Sequence, residues 1–505
     1  MQRPFMITNT RRFVPISLAL VCAAVAPLAA QVPSSEYAAR RESVAARLGD
    51  GVLLAFGTTA PNTDLADFQQ LPSFNYLTGY ERWDAAFVMV VRGGRITWQM
   101  LFEPPTDPRR ALYDGFAPDS ADLARRLGLG VTSIAALRGT LDARLGRGPL
   151  WVVSDVHSRD ALFSDTLTRG RRFVADLWAA HPRASVRSAD ALLDSLRVVK
   201  SAAEIALLRR AIDQTTAGHC AALGRLSPGV NEGVVQAAID LAFRSAGASG
   251  PAFRSIIGSG PNSTSYHYRA NDRVMQAGEV VVMDIGALFQ GYGADVTRTV
   301  PVSGRFTPDQ AAVYRIVREA QAAAEQVARA GAPVSAGDSA IRAVEARGLA
   351  ALGLIESEDA TIDPPWSTPE RCARTPAPLN CRQAFLYMAH GPGHGIGLEV
   401  HDVGGYSYSY SGRFQQGEVF TIEPGIYISM MLLDMLPDTE KNRRFIARVR
   451  PVVQRFNSTG IRIEDDYLVT AEGLEWLSRS PREPADVEAA MRARGTGGLC
   501  GAPPR

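Results

Sequence analysis

Lysine is nearly missing from this sequence: among 54 basic residues in a chain of 505, only Lys200 and Lys441 are lysine. We read that scarcity as compositional bias, not as an arginine-specific function. An excess of one charge sign is missing too. With 54 basic against 52 acidic residues, the chain is neither a histone-like polycation nor an acidic disordered tail. Cysteine and histidine are sparse, at five and seven. No apolar run is long enough to span a bilayer. At this length a single core would be too large, so two domains are expected.

Arg3, Arg11 and Arg12 precede an apolar run from Ile16 to Leu28, which ends in Ala29-Ala30-Gln31. A basic start, a short greasy centre and small residues at the cut are the layout of an export signal. Residues 1–30 are therefore expected to be a signal peptide, and the mature protein to be exported, either periplasmic or secreted. Cleavage removes three arginines and no acid, moving the formal charge from +2 to −1. Such a chain has no general attraction for nucleic acid or anionic lipid, so neither nucleic acid nor a stable membrane anchor is expected as a partner. Cys220, Cys372, Cys381 and Cys500 remain, too scattered for a zinc ribbon. Cys372 and Cys381 bracket a proline-rich segment, and we take a local disulfide between them as a hypothesis.

From Val52 to Trp98, short apolar runs alternate with turns, and strands are expected at Val52–Phe56, Phe74–Leu77 and Ala86–Val91. Helical stretches follow near Ser120–Leu127 and Ser133–Leu145, then another apolar run at Leu150–Val153. The alternation predicts an α/β domain over residues 31–196. Its His, Cys and acidic residues form no catalytic-looking cluster. A boundary falls near Arg197, after which Ser201 and Glu204 form a capping box. Further helices are expected after Asn231, from Thr307 with Pro308 at the first helical position, and over residues 336–351. Strands lie between and after these helices. Residues 197–480 thus read as an α+β domain with helices covering one curved sheet, and 481–505 as a tail.

A repeat sits inside the second domain. Gly278-Glu279-Val280 leads to Asp284 and Gly286, as Gly417-Glu418-Val419 leads to Glu423 and Gly425. Each is followed by a strand with a second acid, Asp295 or Glu464. Carboxylates in apolar strands are costly unless compensated. A symmetric hairpin around Phe289-Gln290-Gly291 would set Asp284 opposite Asp295, about 5 Å apart at Cβ, and the second hairpin would repeat the arrangement. Like charges that close force protonation unless a cation intervenes. Two divalent ions balance four carboxylates, which points to a dinuclear site. Four of the seven histidines are His267, His390, His394 and His401, and three of these fall within a glycine-rich stretch. Four glycines and a proline over 391–397 argue against a zinc-binding helix. Mostly oxygen donors with one imidazole suit manganese, cobalt or iron better than a thiol-rich zinc site would. A water shared by two metals is a hydrolytic nucleophile.

Asp284, Asp295, His394, Glu423 and Glu464 together resemble the five-ligand dinuclear site of the pita-bread metallopeptidases, in their proline-specific branch of aminopeptidase P and prolidase. Five ordered signatures carry the resemblance: Met283–Gly286, Ala294–Thr299, His390–Gly397, Thr421–Gly425 and Gly460–Asp466. Phe68–Gly79 resembles that branch's N-terminal domain. The resemblance implies an α+β protein, with a C-terminal pita-bread catalytic domain preceded by a smaller α/β domain. It implies a metal-dependent exopeptidase that cleaves Xaa-Pro bonds of proline-containing peptides. An Xaa-Pro dipeptidase is the alternative, and a metal-free peptide-binding protein is the alternative from another class. Two divalent ions are implied, manganese foremost, with cobalt, iron or zinc as substitutes. By resemblance Glu423 is also the general base, His390, His401 and His267 steady the carbonyl or the tetrahedral intermediate, and Arg462 orients a ligand or binds a substrate carboxylate. Tyr427 is assigned a hydrogen bond to a ligand, and a homo-oligomer, dimer or tetramer, is implied. Residues 356–382 and 430–457 read as insertions, the second as a solvated surface segment.

Overall fold

The computed structural model describes residues 32–59, 68–105, 119–146, 148–153, 169–406, 409 and 411–493. The expected signal peptide lies outside them. Helix α1 (Ser34–Leu48) leads into β1 (Gly51–Phe56), the middle of a six-stranded sheet. Its other strands are β2 (Ala86–Arg92), β3 (Arg95–Glu103), β4 (Val131–Ser133), β5 (Leu150–Val152) and β6 (Val186–Ser188), in the order β4-β3-β2-β1-β5-β6. Strands β1 to β3 are antiparallel, and the outer strands β4, β5 and β6 run parallel to their inner neighbours. One expectation fails here. Phe74–Leu77 is not a strand but the middle of helix α2 (Pro72–Thr78), which has proline at its start and Gly79 in the left-handed region at its end. The whole helix is buried, so its apolar run carries no period that separates helix from strand.

Helix α3 (Asp190–Arg197) closes the first domain, and α4 (Ala202–Leu223) opens the second with the Ser201–Glu204 capping box. Helices α5 (Glu232–Ser245), α6 (Pro308–Val327) and α7 (Val334–Ala351) follow near their expected places, and α6 carries the Thr307–Gln310 capping box. The sheet they cover is not continuous. It is cut into four pieces of three, three, three and two strands. Apolar residues of both ribbons and of the helices merge into one core, including Val281, Met283, Val317, Leu349, Ile426 and Ile461, all at most 1% exposed. Burying each such side chain stabilises the fold by about 1.5–3 kcal/mol.

The insertion at residues 430–457 is more than solvated surface. Its helix α8 (Glu440–Arg455) buries Phe445, Val449 and Val453 in the main core while Arg443, Arg444 and Arg448 face solvent. Nor is residue 480 the end of the core: helix α9 (Pro484–Ala493) adds Val487 and Met491 to it. In both segments an amphipathic period supplies the buried stripe, which counting charges overlooks. The other insertion carries a Cys372–Cys381 disulfide with Cα atoms 5.4 Å apart. Among the described residues no helix is long and apolar enough to cross a membrane.

Candidate metal centre

Two ribbons build the site. In the first, β7 (Val280–Ile285) pairs with β8 (Val296–Pro301) so that Asp284 faces Thr297. The same register runs to the tip, where Phe289 faces Tyr292. Gln290 and Gly291 make the turn, with φ of 50° and 82°. Two positive φ values are what a two-residue type I′ hairpin needs. The turn is therefore centred between Gln290 and Gly291. For Asp284 to face Asp295 it would have to be centred one residue earlier, between Phe289 and Gln290. Asp295 instead stands diagonal to Asp284 on the same face. That corrects the expected facing pair.

The second ribbon joins β9 (Val419–Ile422) and β10 (Gly425–Ile428) to β11 (Thr459–Arg462) and β12 (Asp465–Val469). Ile422 faces Asp465 and Gly425 faces Arg462, so Glu423 falls opposite Glu464. At these acids the ladder opens. The Glu423 N–H donates to the Pro392 carbonyl at 2.9 Å, and the Glu464 N–H to the Thr297 carbonyl at 3.1 Å. The second bond ties the two ribbons side by side. Both ribbons start on a glycine with the same left-handed backbone, Gly278 at φ 84° and Gly417 at φ 86°, which supports reading them as a repeat.

The five expected ligands converge. His394 Nε2 lies 3.5 Å from Asp295 Oδ2, 3.6 Å from Glu423 Oε1 and 3.7 Å from Glu464 Oε1. His394 Nδ1 lies 3.0 Å from the Gly395 carbonyl. A proton held there leaves Nε2 as a lone pair aimed at the carboxylates, the tautomer a metal requires. Asp284 joins Asp295 and Glu464 within the same compact donor group, and His401 joins Asp295 and His394. Among the described residues, Asp284 Oδ1, Asp295 Oδ1 and Glu464 Oε1 are buried with no hydrogen-bond partner. Burial and repulsion from Glu464, Asp284 and Glu423 drive Asp295 far above the usual carboxylate range. Burial and Glu464 do the same to Glu423. Glu464 is pushed up to about 7, by burial first and then by Asp284. Buried oxygens without partners, repelling one another around one imidazole, fit hard divalent cations.

A cavity of about 220 Å³ opens over this cluster, and the outer histidines line it. His267 and His401 reach it from separate loops, and the His401 and His394 ring centres are 4.2 Å apart. His390 sits differently. Arg462 donates to the Tyr427 hydroxyl at 2.8 Å, and that hydroxyl lies 3.0 Å from His390 Nε2. Arginine cannot accept, so the tyrosine proton points at His390. Its Nδ1 is 2.7 Å from the Gly391 carbonyl. Both nitrogens of His390 are thus engaged within the protein, and burial together with the Arg462 charge pushes it down to about 3. It lines the cavity from this anchored position. Arg462 is buried and bound to Asp284 Oδ2 at 2.5 Å, which places it where it can orient that carboxylate. The expectations omitted Tyr266, which packs edge-on against Tyr427 with ring centres 4.5 Å apart. They also omitted Thr297, whose hydroxyl donates to Glu464 Oε2 at 2.7 Å. Tyr266 has a sequence signal only in adjoining His267; Thr297 shares the Asp295 strand.

The profile of metallopeptidase family M24 matches residues 206–471. The chain belongs to this family. As an M24 metallopeptidase it is a hydrolase that works with divalent metal ions. The profile of the aminopeptidase P N-terminal domain matches residues 37–149. An Escherichia coli Xaa-Pro aminopeptidase is 29% identical over 476 residues, covering 92% of this chain and 99% of the relative. A solved structure of E. coli aminopeptidase P with the inhibitor Pro-Leu superposes with a TM-score of 0.75 at 25% identity, covering 92% of this chain and all of the other. Proline aminopeptidase P II from Yersinia pestis gives 0.73 at 27% identity, covering 91% of this chain and 100% of its own.

Proposed function

We propose that this chain is an Xaa-Pro aminopeptidase, removing the N-terminal residue from peptides with proline second. The observation that carries the reading is the set of buried, partnerless carboxylate oxygens on Asp284, Asp295 and Glu464, gathered beside the His394 imidazole. Proline specificity is supported by relatives that match from end to end. Asp284, Asp295, His394, Glu423 and Glu464 would hold two divalent ions, manganese best suiting the oxygen-rich set. Those ions would polarise the scissile carbonyl and acidify the attacking water. Glu423, at the cavity, takes the proton from that water and delivers it to the leaving proline nitrogen. His267 and His401 line the same cavity and steady the tetrahedral oxygen. His390, locked by Tyr427, and Arg462, locked on Asp284, keep the walls in place.

Export as a periplasmic or secreted protein is part of the proposal, supported by the basic-apolar leader and by the Cys372–Cys381 disulfide. So is a homo-oligomer, dimer or tetramer, which light scattering of the mature protein checks. The central test is a peptide-length series comparing Xaa-Pro with Xaa-Pro-Yaa-Zaa, with manganese and with a chelator. Manganese-dependent cleavage of the longer peptides is expected. Cleavage of the dipeptide alone reassigns the chain as an Xaa-Pro dipeptidase. Less than one ion per chain after manganese loading, with no cleavage, makes it a peptide-binding protein.

A further inference from the structure

Of the chain's two lysines, Lys200 is buried, and it stands beside an equally buried arginine where the first domain joins the second. Arg197 ends α3, and its side chain is 1% exposed. Its guanidinium donates to Ser73 Oγ at 3.2 Å in the first domain and to Glu399 Oε2 at 3.3 Å in the second, and it also grips Asp402 Oδ1. Lys200 Nζ lies 3.3 Å from Asp402 Oδ2, with 1% of its side chain exposed. Both oxygens of one buried carboxylate are therefore held by cations from the domain junction. Burial works against the Asp402 charge, but Arg197 and Lys200 outweigh it and hold the carboxyl below its usual range. Asp402 follows His401 directly. Its N–H donates at 2.9 Å to the Gly395 carbonyl, the same oxygen that lies 3.0 Å from His394 Nδ1. Asp402 Oδ1 also accepts the Val403 N–H at 2.8 Å.

We propose that Arg197 and Lys200 are positioning residues for the hydrolytic site, fixing Asp402 and, through its backbone, the His394 and His401 imidazoles. A Cβ on Gly397 would fall 2.0 Å from the Asp402 carboxylate and 3.0 Å from Lys200 Cε, so the backbone of the histidine-bearing loop packs directly on the pair. The junction is thereby wired to the site it borders: among the described residues the first domain adds nothing to the donor groups, yet Arg197 at its end reaches the loop that carries two of the site's imidazoles.

The inference rests on the aminopeptidase reading for its kinetic arm only. Full-length protein is prepared as parent and as Lys200→Met, which keeps the stem and removes the charge. Hydrolysis of an Xaa-Pro-Yaa-Zaa peptide with manganese and the visible absorption spectrum of the cobalt(II)-loaded form are then compared. For Lys200→Met, kcat is expected to fall on the order of tenfold or more with KM within about twofold, and the cobalt bands to shift. A folded Lys200→Met variant with parental kcat and parental bands overturns the proposal. Should that variant not fold, Arg197→Lys takes its place, since it keeps the charge but loses the fork that bridges Ser73, Glu399 and Asp402. The same band shift is expected, and unchanged bands with unchanged kcat overturn the proposal equally. If the parent cleaves no Xaa-Pro peptide, the functional reading fails on its own, and the cobalt spectra still decide whether the two cations position the site.

Discussion

Glu464 and Asp465 are neighbours in sequence and both are buried, at 2% and 0% exposure, yet they live in opposite electrostatic worlds. Asp465 meets Arg298 at 2.5 Å and Arg482 at 3.3 Å, and accepts from Gln321 at 3.0 Å. Burial alone would raise it, but the two guanidinium groups bring it below its usual range. Glu464, turned to the other side, has Asp284 and Asp295 for company and is pushed up to about 7. Arg462 is near, but it is committed to Asp284 and Tyr427. Alternation along an extended chain sends adjacent side chains to opposite faces. One face brings its own cations and the other leaves room for cations from outside. Asp465 is neutralised by its own arginines, whereas Glu464 keeps a buried oxygen with no hydrogen-bond partner among the described residues.

The largest expected effect breaks the functional side of that contrast. Asp295→Asn and Glu464→Gln should each lose bound metal, with kcat/KM falling on the order of 10³-fold, checked by elemental analysis alongside peptide hydrolysis. Variants retaining both the ions and the rate would undo the ligand assignment. Asp465→Asn should do the reverse. It strips a counter-charge from Arg298 and Arg482 and should cost about 3–5 kcal/mol in urea unfolding, while any folded fraction still binds metal.

Acidity sharpens the same contrast with a smaller effect. For Glu464 the folded-state pKa lies above the ordinary glutamate value of about 4.5, so the folded metal-free protein holds extra protons up to about pH 7. Stability of the chelated protein should therefore fall as pH rises from about 4.5 to 7. Manganese should remove that loss by supplying the missing charge, so the manganese-induced rise in Tm should grow over the same interval. A manganese effect that is flat with pH would contradict the raised acid. Smallest for catalysis is the disulfide. Cys372→Ser with Cys381→Ser should cost about 2–3 kcal/mol of stability and leave the rate within about twofold, because the bridge closes a short loop away from the donors.

Much of the site is legible because each candidate donor breaks a local rule. An acid inside an apolar strand, repeated twice, and histidines among glycines can each be seen within a ten-residue window. The capping boxes at Ser201 and Thr307 were legible for the same reason. Phe74–Leu77 is illegible as a helix because full burial erases the period, and the partner of Asp284 is illegible because moving the turn centre by one residue moves the partner by two.

The sequence by itself determined the five donors, the two ribbons that present them and the two-domain order, all from short-range pattern. Tertiary structure alone decided which buried acids are neutralised from within: Asp402 by Arg197 and Lys200, Asp465 by Arg298 and Arg482. The partners of Asp402 lie about 200 positions away along the chain. The energy of a buried charge depends on distance through space in a low-dielectric interior, and no local window of sequence contains that distance.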